Sequence, residues 1–248
     1  MRLAFLLDDT AISGTTRAML TVADALIARG HQVRVVTAAS PLTWRTSRAE
    51  WIYVDELRQY DAAEDEQVIT LRNPPLVVED EFYRAANIRE HEPLRVLLSG
   101  SWHVERHGID DGYGAAAHAR WFHQQFELIR VSPFAPSREE PLESVQEFHV
   151  ALTTSELTRL VHSCDVFLAP NREDPFALPL AEAMASGLAC VALAGNAVEL
   201  GEKLIELLSD DELRERLRTR DRAFAEQWRV ERVVDALEQS MERRRPAG

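Results

Sequence analysis

The chain has 248 residues, 46% hydrophobic and 28% charged, with only 10 Gly, 11 Pro and 2 Cys. Those figures exclude a low-complexity chain, a collagen and a disulfide scaffold, and they allow one large domain or two modest ones with a core of normal size. A net charge of −13, from 28 basic and 41 acidic residues, argues against a groove for a polyanion, so nucleic acid is not an expected partner.

Lys203 is the only lysine, so a site that needs a fixed cation is expected to use arginine. Cys164 and Cys190 each sit inside an apolar run, as buried thiols of a reducing compartment do. The start, MRLAFLLDDT, lacks the long apolar core of a signal peptide, and no stretch reaches the ~18 apolar residues of a membrane span. A cytoplasmic protein is expected.

Arg2 to Leu7 reads as a strand, followed by a polar turn through Ser13, Gly14, Thr15 and Thr16. Ala18, Leu20, Val22, Ala23, Leu26 and Ile27 then group on one side of a helix that closes at Arg29-Gly30, and His31 to Thr37 is a β-branched strand. This is a βαβ unit whose Gly14 turn could meet a phosphate. Trp51 to Val54 reads as a further strand, Asp61 to Glu66 as a solvated acidic loop, and Arg72 to Glu92 as a linker. A second unit opens with a strand at Leu94 to Leu98, ending in Ser99-Gly100. A helix over Ile109 to His123, a strand at Phe126 to Val131 and a Pro- and Glu-rich excursion over 133–144 follow. Glu147 to Val150 is a short strand, and Thr153 and Glu156 are spaced as a capping box for a helix over Thr154 to His162. Asp165 to Ala169 is a buried strand, Pro175 to Ser186 a helix stopped by Gly187, and Leu188 to Leu193 another strand. From Ala197 onward the chain is helical and amphipathic. The alternation predicts an α/β fold of two Rossmann-like parallel-sheet units, the N-terminal one reduced. The expected divisions are 1–92, 93–228 and a last segment, 229–248, that packs back on the first unit.

The most informative stretch runs from Asp165 to Leu193. A buried strand stops at Ala169-Pro170, a polar loop NRED follows, and Asp174 and Pro175 suit the N-cap and first position of a helix. The amides of Phe176, Ala177 and Leu178 would then lie at the positive end of the helix dipole, a ready anion site. Glu182 follows on the same helix. Spacing alone fits an ordinary cap and a surface glutamate equally well.

Taken in order, these pieces resemble the donor-site signature of family-4 retaining glycosyltransferases of the GT-B fold. The matching residues are Asp165-Val-Phe-Leu-Ala-Pro170, Asp174-Pro-Phe-Ala-Leu-Pro179 and Glu182-Ala-Met-Ala-Ser-Gly187. The resemblance implies that the amides of Phe176, Ala177 and Leu178 meet a donor diphosphate and that Glu182 holds the nucleotide ribose hydroxyls. It puts Asp174 at the first acidic position, near the transferred sugar, with Glu173 as the alternative. That position is usually Glu, and Ala177 replaces the usual Gly. Ser99-Gly100-Ser101-Trp102 through Arg106-His107-Gly108-Ile109-Asp110 looks like the family's segment with two cations that clamp the diphosphate. Ser101 stands where the Arg is expected, and Arg106 or His107 where the Lys is. Arg106 is preferred because it is always charged. Phe148, His149 and Val150 would lie close to the base. Gly14 and Thr15 match the family's N-terminal Gly turn, while His31 reads as structural. The short segment between Trp51 and Leu94 implies an acceptor half that is cut down.

The implied function is transfer of a hexosyl group, with retention, from a nucleotide-sugar to a sugar, polysaccharide or lipid-linked acceptor. No cofactor or metal is expected, because helix amides and Arg106 would offset the diphosphate charge. The rival is a nucleotide-sugar-binding protein with weak or no transfer, or a subunit needing a partner for its acceptor site; a sugar-nucleotide epimerase is a third reading. Homo-oligomerisation is left open, and membrane contact is limited to weak attraction at Arg243 to Arg245. Trp102, Trp121 and Trp228 read as packing residues, and Arg214 to Arg222, alternating with Asp and Glu, as a solvated helix face.

Overall fold

The computed structural model describes residues 1–8, 10, 13–70 (the backbone only at 70), 76–84, 91–122, 124–172, 177–192 and 196–243. The chain divides into two units, Met1–Glu79 with Gln227–Gly248, and Asp80–Glu226. Each is built on one parallel sheet, as the alternating pattern predicts.

The first unit begins with β1 (Arg2–Leu7), α1 (Gly14–Ala28), β2 (Gln32–Thr37), β3 (Glu50–Tyr53) and β4 (Glu66–Thr70). The strands lie in the order β3-β2-β1-β4, all parallel. The Ser13 hydroxyl caps α1 by accepting the Thr16 amide at 3.0 Å, and Gly30, at φ +89°, turns the chain out of the helix. Glu66 departs from expectation. Instead of closing a solvated loop it opens β4 with its carboxylate buried, accepting the Tyr60 hydroxyl at 2.7 Å and lying 3.5 Å from Arg34 Nη1. A partnered carboxylate can be taken out of water, and the acidic run around it hides that partnership.

The second unit contains β5 (Leu94–Ser99), α2 (Ile109–Trp121), β6 (Phe126–Ser132), β7 (Glu147–Val150), α3 (Thr154–Val161), β8 (Val166–Ala169), α4 (Leu178–Ser186), β9 (Ala189–Ala192), α5 (Ala197–Ser209) and α6 (Asp211–Ala225). Its sheet runs β7-β6-β5-β8-β9, all parallel. Val96, Leu98, Leu128, Val166 and Leu168 pack on one face with Ala115, Ala116 and Ala119 of α2 and Leu200, Leu204 and Leu207 of α5. Thr153 and Glu156 form the expected capping box at α3.

Residues 80–84 and 91–92, expected in the linker of the first unit, pack with the second. Phe82 and Tyr83 are buried in a 3₁₀ turn, Asp80–Tyr83. The Tyr83 hydroxyl donates to the Ala225 carbonyl, and Arg222 donates to the Tyr83 carbonyl, both at 2.6 Å. Two aromatic rings in a charged stretch carry no periodicity, which is why their burial escapes the pattern. The arginines of α6 are a second correction, because Arg214 and Arg218 are buried. Arg214 donates to the Leu207 carbonyl at 2.7 Å. Arg218 reaches the carbonyl of Asp165, whose carboxylate also accepts the Arg95 amide at 2.8 Å. Residues four apart share one helix face, and here that face turns inward onto acceptors. Trp102 packs edge-on to Tyr113 as expected, whereas Trp121 is 80% exposed at the end of α2.

The last helix, α7 (Val230–Arg243), belongs to the first unit and puts Val234 and Met241 into its core. Arg29 bonds Asp235 and Glu238 at 2.6 Å each. His31 bridges the Met1 amino group and Glu238, a structural role. Burial raises both thiols, Cys164 to about 12 and Cys190 well above its usual value. Arg244 and Arg245 lie outside the described residues. Among the described residues no helix is long and apolar enough to cross a membrane.

Arg130 of β6 is fully buried. Its Nε bonds Glu140 at 2.9 Å, and Glu140 also accepts the Tyr113 hydroxyl at 3.0 Å. Removing one member of such a pair strands the other charge in a dry site. The Glu140→Ala variant is therefore expected to lose about 3–5 kcal/mol of stability, read as a lowered urea midpoint. A double change of Arg130 and Glu140 to apolar residues should lose less.

Candidate functional site

Strand β5 is followed in sequence by β6 on one side of the sheet, while β8 pairs on its other side. Chain direction across the sheet reverses there, and the loops leaving the carboxyl ends of β5 and β8 diverge around a crevice, the usual place for a ligand in an open parallel sheet. The loop after β5 holds Gly100 at φ +142° and a 3₁₀ turn, Glu105–His107, before Gly108 at φ +61° caps α2. A Cβ on Gly108 would lie 2.1 Å from the Pro170 carbonyl oxygen, and one on Gly112 would lie 2.7 Å from Leu98 Cδ1. Missing side chains thus let the start of α2 lie directly on the ends of β5 and β8. The Arg172 amide donates to the Arg106 carbonyl at 3.0 Å and ties the two loops together.

Helix α4 opens at Leu178 with Ala177 as its N-cap, three residues later than the expected start at Asp174 and Pro175. Proline explains the shift. Were Pro175 the first helical residue, Pro179 would fall in the second turn, where it lacks a needed amide and clashes with the carbonyl four residues back. With the start at Leu178, Pro179 sits in the first turn, where both faults vanish. Leu180 and Ala181 send the first helical bonds to the Ala177 carbonyl, leaving the amides of Ala177 and Leu178 ahead of them at the positive end of the helix.

The candidate residues fall into two groups. Arg106, His107, Ala177 and Leu178 stand on the two loops at the carboxyl ends of β5 and β8, and Glu182 lies buried along α4. Arg106 is exposed and has no ion-pair partner among the described residues. His107 Nδ1 accepts the Ser101 amide at 2.9 Å, so that nitrogen keeps its lone pair and the ring proton sits on Nε2. Burial lowers the His107 pKa, with Arg106 and Arg130 adding to the effect. Phe148 lies on β7, two strands from β5, with the Arg130 guanidinium 5.5 Å from its ring centre. Gly14 and Thr15 form the exposed first turn of α1, in the first unit. Glu173, Asp174 and Phe176 lie outside the described residues.

Ser101, where the resemblance expects an arginine, is buried, and its hydroxyl has no hydrogen-bond partner among the described residues. His103 and His107 stand four apart, a spacing that could grip a metal on an α-helix. Here the segment is a 3₁₀ turn, and the Ser101 amide takes His107 Nδ1. Among the described residues no group of three or more His, Cys, Asp or Glu could hold a metal ion. The residue with no warning in the sequence is Arg172. Its guanidinium reaches Asp111 at 2.7 Å and Asp110 at 2.9 Å, partners some sixty positions away.

Residues 93–219, just over half of the chain, match the family described as glycosyl transferases group 1. No curated protein matches the chain by sequence. Among solved structures, WaaG, a glycosyltransferase involved in lipopolysaccharide biosynthesis, is similar with a TM-score of 0.67 at 16% identity, over 94% of this chain and 99% of that one. A glycosyltransferase from Rickettsia africae ESF-5 gives 0.68 at 11% identity, over 96% and 97%. Sucrose-phosphate synthase from Thermosynechococcus elongatus gives 0.69 at 14% identity, over 98% of each chain. At these identities the likeness establishes the architecture, the GT-B arrangement of two Rossmann-like units, here with a four-stranded first sheet and a five-stranded second.

Gly108→Ala tests the loop junction directly. A Cβ there meets a backbone oxygen in a left-handed conformation, so the variant should lose at least ~1–3 kcal/mol of stability. Loss of the denaturant midpoint without a change in slope is the expected reading.

Proposed function

Because the chain belongs to the glycosyl transferases group 1 family, we propose that it transfers a hexosyl group from a nucleotide-sugar to a carbohydrate or lipid-linked acceptor, with retention at the anomeric carbon. The observation that carries this reading is the junction at the carboxyl ends of β5 and β8. There Arg106, which has no ion-pair partner among the described residues, and the N-terminus of α4 belong to loops joined by a backbone hydrogen bond.

The chemistry follows from charge. Breaking the bond between sugar and diphosphate leaves negative charge on the departing oxygens, and fixed donors aimed at that charge lower the barrier. On this reading the amides of Ala177 and Leu178, the Arg106 guanidinium and the Nε2–H of neutral His107 supply those donors. The buried Glu182 carboxylate accepts from the ribose hydroxyls, and Phe148 borders the base. Asp174, or Glu173 beside it, faces the positive charge that develops at the anomeric carbon. The reading calls for no metal or cofactor, and the buried Cys164 thiol is in keeping with a reducing, cytoplasmic setting.

Incubation with UDP-, GDP- and ADP-hexoses, with and without carbohydrate acceptors, tests the reading through release of nucleoside diphosphate. The anomeric configuration of the product, read by NMR, tests retention. No acceptor-dependent release from any donor would overturn it. Arg106→Ala should weaken nucleoside diphosphate binding by about 1.5–3 kcal/mol while sparing the nucleoside, and His107→Ala should do less. Glu182→Ala should weaken both by a similar amount. Asp174→Asn or Glu173→Gln, whichever removes the acting carboxylate, should lower kcat by ~10²-fold or more with little change in donor affinity.

A further inference from the structure

The first turn of α2 carries two adjacent aspartates, Asp110 and Asp111, just after Arg106 and His107. Glu105 precedes them, so three carboxylates border the segment proposed to receive a diphosphate. In a chain of net charge −13 that placement opposes the binding of any anion unless the carboxylates are neutralised. Arg172 meets all three from the neighbouring loop. Its Nε and Nη2 lie 2.8 and 2.7 Å from Asp111 Oδ2, its Nη2 lies 2.9 Å from Asp110 Oδ2, and its Nη1 lies 4.0 Å from Glu105 Oε1. The guanidinium fork thus spans Asp110 and Asp111 with charge-assisted bonds and lies near the Glu105 carboxylate. The backbone bond from Arg172 to Arg106 holds it there.

We infer that Arg172 is a positioning residue of the donor site, acting through Asp110 and Asp111. It turns their charge away from the anion and so lets Arg106 act on the diphosphate alone. The inference rests on the donor-site reading above and deepens it. Among the described residues of these loops Arg172 is the guanidinium that meets the three carboxylates, and without it they lie uncompensated beside Arg106. The freed aspartates would then compete with the diphosphate for Arg106. Sterics add little to this account, since Gly108 and the backbone bond already join the loops.

Calorimetric titration of the full chain with UDP, GDP and ADP, and with uridine, guanosine and adenosine, tests it. At low salt Arg172→Gln should weaken binding of the preferred diphosphate about tenfold and leave the matching nucleoside within about twofold. Arg172→Lys should restore most of the loss, because it returns the charge without the fork. Adding Asp110→Asn and Asp111→Asn to Arg172→Gln should return affinity to within about threefold of wild type. The deficit of Arg172→Gln should also shrink to under about threefold in ~1 M salt, where the screening length falls to ~3 Å. The Asp110→Asn/Asp111→Asn variant, which keeps Arg172, carries the test even if Arg172→Gln does not fold, since it must bind diphosphate at least as tightly as wild type.

A purely structural tether gives the opposite pattern, with Arg172→Gln and Asp110→Asn/Asp111→Asn losing diphosphate and nucleoside alike at every salt concentration. That pattern, or an unchanged Arg172→Gln, overturns the inference and leaves the donor site standing. A wild-type chain that binds none of the diphosphates overturns the donor site itself and the inference with it.

Discussion

The loop leaving β5 and the loop leaving β8 approach so closely at Gly108 and Pro170 that no side chain fits between them, and the second unit depends on that contact. The left-handed Gly108 lets the chain turn from a 3₁₀ segment into α2 without a Cβ striking the Pro170 carbonyl. Gly112 extends the approach one turn along, where α2 lies on Leu98. The parallel sheet sets the direction of both loops, and the glycines set how near they come. With the loops in contact, the N-termini of α2 and α4 share the carboxyl edge of one sheet, where their dipoles favour an anion in water that the surrounding acidic surface would otherwise make inhospitable.

Charge on this unit is handled by pairing rather than by a basic surface. Arg130 with Glu140 is sealed under the loop that follows β6, and the Asp165 carboxylate lies at the opposite end of the sheet among the Arg95 amide, His91 and Arg218. In both places a guanidinium meets a carboxylate, and the carboxylate takes further donors besides, Tyr113 in one and the Arg95 amide in the other. Such pairs contribute little net stability compared with apolar packing, but they fix which loop lies over which strand. The Arg106 side chain, exposed beyond the carboxyl end of β5, has no ion-pair partner among the described residues.

Where chemistry repeats with a period, the sequence shows it. The strands β1, β5 and β7 and the Thr153–Glu156 capping box are legible to within a residue, since apolar runs and caps are local properties. Glu66, Phe82, Arg214 and Arg218 are not legible, because their burial depends on partners remote in the chain. The start of α4 fails for a different reason. Two prolines four residues apart each suit a first turn, and only the geometry of the second excludes the first. In the candidate site the strand–loop–helix frame and Glu182 are legible as a resemblance. The tautomer of His107 is set by a backbone amide six residues earlier, and Arg172 has partners on another loop, so neither could be read from local sequence.

The first unit is made of two stretches of chain that the second unit separates. Its sheet and α1 come from residues before Glu79, while Val234 and Met241, which complete its core, and the carboxylates that receive Arg29 and His31 come from α7. During synthesis, at roughly 5–20 residues per second, the sheet of the first unit emerges first and must wait with part of its apolar face bare. The second unit is continuous and can fold in the interval. The order of assembly on the ribosome is therefore the reverse of the order of translation, and a nascent chain stalled before α7 would present a finished second unit joined to an unfinished first.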